Sequence, residues 1–185
     1  MGAANKLIAD IRGTPMVRRA VEAALASAAE PVLVVTGHQA EQVRAALAGL
    51  AVAFVHNPDY AVGLSSSLKA GISAVPDAAG GALVLLGDMP QIAAVHLDRL
   101  IAVLAAEGKN AIVVPTRDGR RGNPVLWPRS YFWEMLQLEG DAGAKRLLAV
   151  HANHVREIDL GTDAIFADID TPEALAKMRE GDGAS

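Results

Sequence analysis

Four short runs of aliphatic residues constrain the fold most. "PVLVVT" (31–36), "AVAFV" (51–55), "ALVLL" (82–86) and "AIVVP" (111–115) are too short for helices and lack polar alternation. Such continuous apolar runs suit strands buried on both faces, as in a parallel sheet. The stretches between them follow a helical period. After Pro15 the apolar positions are Met16, Val17, Ala20, Val21, Ala24 and Leu25; after Pro90 they are Leu97, Leu100, Ile101 and Leu104. Each set forms one stripe of a 3.6-residue helix. Pro15 suits a helix start, where its missing N–H costs nothing. Strands alternating with helices predict βαβ units with right-handed crossovers, hence an α/β protein.

The length of 185 residues suits a single domain, expected over 1–180, with 181–185 as a disordered tail. Hydrophobic residues make up 51% and aromatics only 4%, so a core mostly of Ala, Val, Leu and Ile is expected. Net charge is −4, and the basic stretches "VRR" and "GRRG" are too short to track a phosphate backbone, which argues against a nucleic-acid partner. The absence of Cys removes thiolate metal sites, Cys nucleophiles and disulfides together. No apolar stretch reaches the ~18 residues that span a bilayer. The opening "MGAANKLIAD" has no signal-peptide core, and Lys6 breaks the myristoylation pattern. These features predict a cytoplasmic protein with no membrane partner.

The second half changes character. "RDGRRG" (117–122) reads as a loop and "NPVLWP" (123–128) as a strand after it, so a hairpin with one antiparallel strand is expected. "SYFWEMLQL" and "AGAKRLLAVH" read as short helices, "HVREIDL" and "IFADID" as late strands. "TPEALAKM" reads as a closing helix capped by Thr171, with Pro172 in its first turn.

Chemistry concentrates where strands end, since ligands of open α/β sheets bind at the carboxyl ends of strands. Asp88 follows the run at 82–86, and Asp168 and Asp170 close the last expected strand. Paired carboxylates there suit a hard cation such as Mg²⁺. The competing reading gives Asp88 an Asx turn before Pro90 and makes Asp170 part of a helix cap. In "HNPDYAVGLSSSLKAGI" (56–72), Gly63 allows close backbone approach and Ser65, Ser66 and Ser67 open a helix, an arrangement suited to a sugar or anion. An ordinary Ser N-cap explains one serine of the three. Lys6 is either a phosphate contact or a solvated lysine. His38 reads as a loop or first-turn residue. "GNPVLW" reads as a turn and strand start, and Asp141 as a helix cap. The five histidines show neither a metal spacing nor a Ser/His/Asp arrangement.

Taken together, "MGAANKL", "VTGHQAEQV", "HNPDYAVGLSSSLKAGI", "GDMPQI", "GNPVLW" and "DIDTPEAL" resemble the MobA-like nucleotidyltransferases, nearest their molybdenum cofactor cytidylyltransferase branch. The resemblance implies a three-layer, Rossmann-like α/β fold with helices on both faces of a mostly parallel sheet. It implies attack of a molybdopterin-type phosphate acceptor on the α-phosphate of CTP, or of GTP in the guanylyl branch, with loss of pyrophosphate. Lys6 matches the family's phosphate-contacting lysine and Asp88 its metal-holding acid. Asp170 matches the acid that completes the Mg²⁺ site. Gly63, Ser65, Ser66 and Ser67 match the nucleotide-binding segment, while Asn123, Asp141 and Lys145 match acceptor-side positions.

The family pattern begins with a strand and a glycine-rich loop, L-A-A-G-x-S-x-R-M-G. This sequence opens at its last two residues, Met1 and Gly2, so either a start upstream or a shortened relative is expected. Asn123 replaces a frequent His, and Lys145 an Arg, which loses a planar bidentate fork. Three further readings follow: guanylyl transfer, nucleotidyl transfer to a sugar phosphate, and a non-catalytic relative that binds the cofactor, a molybdoenzyme or its chaperone.

Overall fold

The computed structural model describes residues 5–140 and 144–166. It opens with a 3₁₀ turn, Lys6–Ile8, and a small hairpin of β1 (Asp10–Ile11) and β2 (Thr14–Pro15). Arg12 and Gly13 both have positive φ at its tip, the requirement of a tight two-residue hairpin turn. Then α1 (Met16–Leu25), β3 (Leu33–Thr36), α2 (Ala40–Ala46), β4 (Ala53–His56) and α3 (Leu64–Ser73) alternate, followed by β5 (Gly81–Val84), α4 (Ala94–Glu107) and β6 (Ile112–Arg117). The second half contributes β7 (Arg120–Arg121), β8 (Val125–Pro128), α5 (Phe132–Leu136), α6 (Lys145–Val150) and β9 (Val155–Asp159). All four apolar runs supply strands.

The backbone ladder falls into two sections. β3 and β4 pair in parallel, from Leu33 opposite Ala53 to Thr36 opposite His56. The larger sheet runs β5-β8-β6, with β9 on the other edge of β6 and β7 turned back as a hairpin arm. β5 and β8 are antiparallel, as are β8 and β6, so β5 and β6 share one direction. β9 joins β6 in parallel. The long antiparallel strand is β8, as the hairpin reading of 117–128 expects.

Alternate side chains of these strands enter two helical layers, which gives three layers in all. Ile112 and Val114 of β6 pack with Trp127, Ile72 of α3, Met135 of α5 and Leu147 of α6. Val113, between them, packs with Leu100 of α4 and Leu126. Such fully buried aliphatic side chains contribute about 1.5–3 kcal/mol each. On the β3 section, Val34 meets Val17 and Val21 of α1, while Val35 lies beneath Gly71 of α3. α1 and α3 also reach the β5 section, through Ala24 toward Leu83 and through Ile72 toward Ala82 and Val84. Two helices thus tie together sheets that share no ladder among the described residues.

One expectation needs correction. "IFADID" does not begin as a strand: Ile165 and Phe166 belong to a 3₁₀ turn, Asp163–Phe166. Buried Ile165 is held there against Gly122, where an added Cβ would lie 2.5 Å from the Ile165 carbonyl oxygen. The Asn123 N–H donates to that same carbonyl (3.0 Å). The remainder of "IFADID", the "TPEALAKM" helix and the expected boundary at 180 lie outside the described residues.

Candidate active site

Asp88 stands four residues beyond β5 on a loop anchored from within. Its neighbour Met89 is 1% exposed and Ile92 3%, both in the core under α4. Gly87 leaves room on the other side. A Cβ there would lie 3.3 Å from Leu7 and 3.4 Å from Val17. Leu7 therefore seats against Gly87. The turn that carries Leu7 is fixed by Asn5, whose side-chain oxygen accepts the Leu7 N–H (3.1 Å). The adjacent Lys6 is thereby brought to Asp88, its Nζ 2.8 Å from Oδ2.

The two carboxylate oxygens of Asp88 differ. Oδ2 accepts from Lys6, whereas Oδ1 is buried with no hydrogen-bond partner among the described residues. The Asx turn is thus not made. A buried carboxylate oxygen without a donor is costly unless something positive meets it. Its lone pairs suit a hard cation. Among the described residues no group of three or more His, Cys, Asp or Glu forms a metal-ligand set. Asp168 and Asp170, the expected second carboxylates, lie outside the described residues, as does Asp141.

The segment from His56 to α3 is organised by Asn57, which the sequence reading passed over. Asn57 is 3% exposed. Its Nδ2 donates to Ser66 Oγ (2.9 Å) and Ser67 Oγ (3.0 Å), and its Oδ1 accepts the Asp59 N–H (3.0 Å). Ser66 Oγ also lies within hydrogen-bond distance of the Asp59 and Gly63 carbonyls. Two of the three candidate serines therefore lock the loop. Ser65 is different: its N–H donates to the Gly140 carbonyl (3.3 Å), while its hydroxyl has no partner among the described residues and lines a cleft. The Ser N-cap reading is not met, because the N-cap is Gly63 with no side-chain cap. Gly63, at φ 126° and ψ 174°, occupies backbone space that other residues avoid. The signal for Asn57 was present in "NPDY", a turn sequence with one buried polar residue.

The cleft beside α3 has a volume of about 660 Å³ and is lined by His56, Ser65, Lys69 and Glu139 among others. Lys6 and Asp88 are not among its lining residues. The acceptor-side candidates lie on other elements. Asn123 precedes β8, and Lys145 is exposed at the start of α6. Neither side chain is bonded to another described residue.

This geometry has a chemical meaning. A lysine and a carboxylate with one buried oxygen unpartnered among the described residues, at a strand exit, can neutralise and orient phosphate groups; a glycine-led helix start beside a polar cleft can take the remainder of a nucleotide. A three-layer, Rossmann-like α/β fold bearing these features defines a nucleotidyltransferase. The chain matches the MobA-like NTP transferase domain over residues 1–156 and belongs to that family. It is 27% identical to the molybdenum cofactor cytidylyltransferase of Escherichia coli K12 over 150 residues, covering 80% of this chain and 74% of that protein. It is 37% identical to the bifunctional protein GlmU of Kineococcus radiotolerans over 116 residues, which cover 62% of this chain and only 23% of GlmU. Among solved structures, Rv0371c of Mycobacterium tuberculosis H37Rv superposes with a TM-score of 0.84 at 27% identity, covering 96% of this chain and 90% of that one. The same protein has also been solved with manganese, with a TM-score of 0.80. No helix among the described residues is long and apolar enough to cross a membrane.

Proposed function

We propose that the chain is a Mg²⁺-dependent cytidylyltransferase that transfers CMP from CTP to a molybdopterin-type phosphate acceptor in the cytoplasm. The carrying observation is the Lys6–Asp88 pair, whose buried Oδ1 has no hydrogen-bond partner among the described residues. Likeness to the E. coli cytidylyltransferase over 80% of the chain supports the choice of nucleotide and acceptor.

In this reading an acceptor phosphate oxygen attacks the α-phosphorus of CTP. The bond from that phosphorus to the bridging oxygen breaks, and its electron pair leaves with pyrophosphate. Lys6 neutralises charge on the departing pyrophosphate. Gly63 admits the nucleotide close to the backbone, and Ser65 offers it the one hydroxyl of the three without a partner among the described residues. Asn123, Lys145 and Asp141 are the residues assigned to the acceptor. Asp88 and Asp170 are the carboxylates that would hold the cation, which when bound supplies charge neutralisation to the triphosphate. The protein contributes position and fixed charge rather than a nucleophile.

The test is pyrophosphate release from CTP, with GTP as control, in the presence of Mg²⁺ and acceptor. Asp88→Ala is expected to abolish metal-dependent turnover while the thermal unfolding profile stays close to wild type. Undiminished turnover in that variant rejects the assignment. Nucleotidyl transfer to a sugar phosphate is a second reading, supported by the likeness to GlmU; a sugar 1-phosphate acceptor in the same assay separates the two.

A further inference from the structure

Gly37 stands one residue beyond β3, in the segment "VTGHQAEQV" that the proposed chemistry leaves unused. It is not one of the glycines with positive φ, so its backbone conformation does not itself call for glycine. A neighbour does. A Cβ added at Gly37 would lie 2.4 Å from the Cβ of Tyr60, 2.7 Å from its Cγ and 2.9 Å from its Cδ1. Real Cβ atoms do not come that close to another heavy atom, so something must shift. The nearest atom is a Cβ, fixed to the backbone, so it moves only with the chain at residue 60. The next residue adds to the same contact: the rings of His38 and Tyr60 lie 5.8 Å apart at a tilt of 53°. Tyr60 thus rests on two successive residues of the β3 exit.

This contact lies on the loop that leads into the site. β3 and β4 end side by side, with Thr36 opposite His56 and the Asn57 N–H donating to the Thr36 carbonyl (2.8 Å). Three residues later the chain returns to β3 as Tyr60 packs on Gly37. Tyr60 opens a 3₁₀ turn, Tyr60–Val62, that ends on Gly63, and its carbonyl faces the Gly63 N–H (3.4 Å). Gly63 in turn is the N-cap of α3. The loop is therefore fixed at two places. Asn57 sets it against α3 through Ser66 and Ser67, and Tyr60 sets it against β3 through Gly37. We propose that Gly37 is a positioning residue for the nucleotide: by leaving room for Tyr60 it fixes the place of Gly63, and it acts through Tyr60 rather than on the substrate. The inference rests on the proposed function, in which Gly63 admits the nucleotide.

A double-mutant cycle in the intact chain tests this, with Gly37→Ala, Tyr60→Gly and the two combined. Tyr60→Gly removes every atom that a Cβ at position 37 would strike. The probe is calorimetric titration of CTP with Mg²⁺. Gly37→Ala is expected to weaken CTP binding about tenfold, because a displaced loop misplaces the groups it carries. Tyr60→Gly, which removes the loop's rest on β3, should also weaken it. The decisive result is the coupling: in the Tyr60→Gly background, Gly37→Ala should change CTP binding less than about twofold. In the pyrophosphate-release assay Gly37→Ala should raise KM for CTP more than it lowers kcat, the mark of binding lost from ground and transition states alike. The proposal is overturned if folded Gly37→Ala binds CTP as the wild type does, or if its effect persists undiminished without the Tyr60 side chain. Should Gly37→Ala fail to fold, Tyr60→Gly decides: weakened CTP binding by the folded variant supports the proposal, and wild-type binding overturns it. A wild-type chain that does not bind CTP rejects the proposed function and this inference with it, whereas CTP binding that is indifferent to both substitutions rejects this inference alone.

Discussion

At Asp88 a single side chain carries both halves of the site's logic. One oxygen is matched to Lys6, 82 positions away in sequence, and the other faces no donor among the described residues. On the helix that follows, the hydrogen bond of His96 depends on protonation state. Its Nδ1 accepts the Ala93 N–H (3.1 Å), so the imidazole closes the start of α4 in its neutral form. Burial first, and then the charge of Arg99, hold its pKa below the ordinary 6.5. The unfolded chain then binds more protons in the window just below 6.5. His96 therefore adds stability above that pH, and the contribution is lost as pH falls through the lowered folded value. The urea midpoint of the wild type should fall between pH 7.5 and 5.5, and less so in His96→Gln. Equal pH dependence in the two proteins would show that His96 is not the titrating group.

The elements that form the site were legible to different degrees, for physical reasons. Continuous aliphatic runs announce strands, and all four are strands, although β4 is exposed at Ala53 and His56. The β1–β2 hairpin did not, because two-residue strands are too short to show alternation; only the positive-φ Arg12–Gly13 tip reveals it. Ile165 and Phe166 read as a strand because two apolar residues cannot report a period. Asp88 stands out at a strand exit and Lys6 through likeness to a family, but their contact depends on Leu7 seating against Gly87, which no spacing encodes. The serines show the limit most clearly. Three identical neighbours have two roles, and buried Asn57 assigns them. Asn57→Ala removes two donors and one acceptor from a buried network, which should cost about 1–3 kcal/mol in urea unfolding. It should also raise KM for CTP more than it lowers kcat, because the loop at Gly63 loses its tether. An unchanged KM would confine Asn57 to stability.

At the scale of the whole molecule, α1 and α3 span the two sheet sections, and both lead into the site. α1 follows the turn that carries Lys6 and packs Val17 beside Gly87, while α3 begins at Gly63 and forms a wall of the cleft. Packing rather than a continuous ladder holds phosphate chemistry and cleft in one frame. The most direct test of the central claim is calorimetric titration of CTP, with GTP as control, into the wild type and Asp88→Ala, with and without Mg²⁺. The account predicts CTP binding that requires Mg²⁺ and is lost in Asp88→Ala. Failure of a folded wild-type chain to bind CTP, or equal binding by the two proteins with and without Mg²⁺, would contradict it.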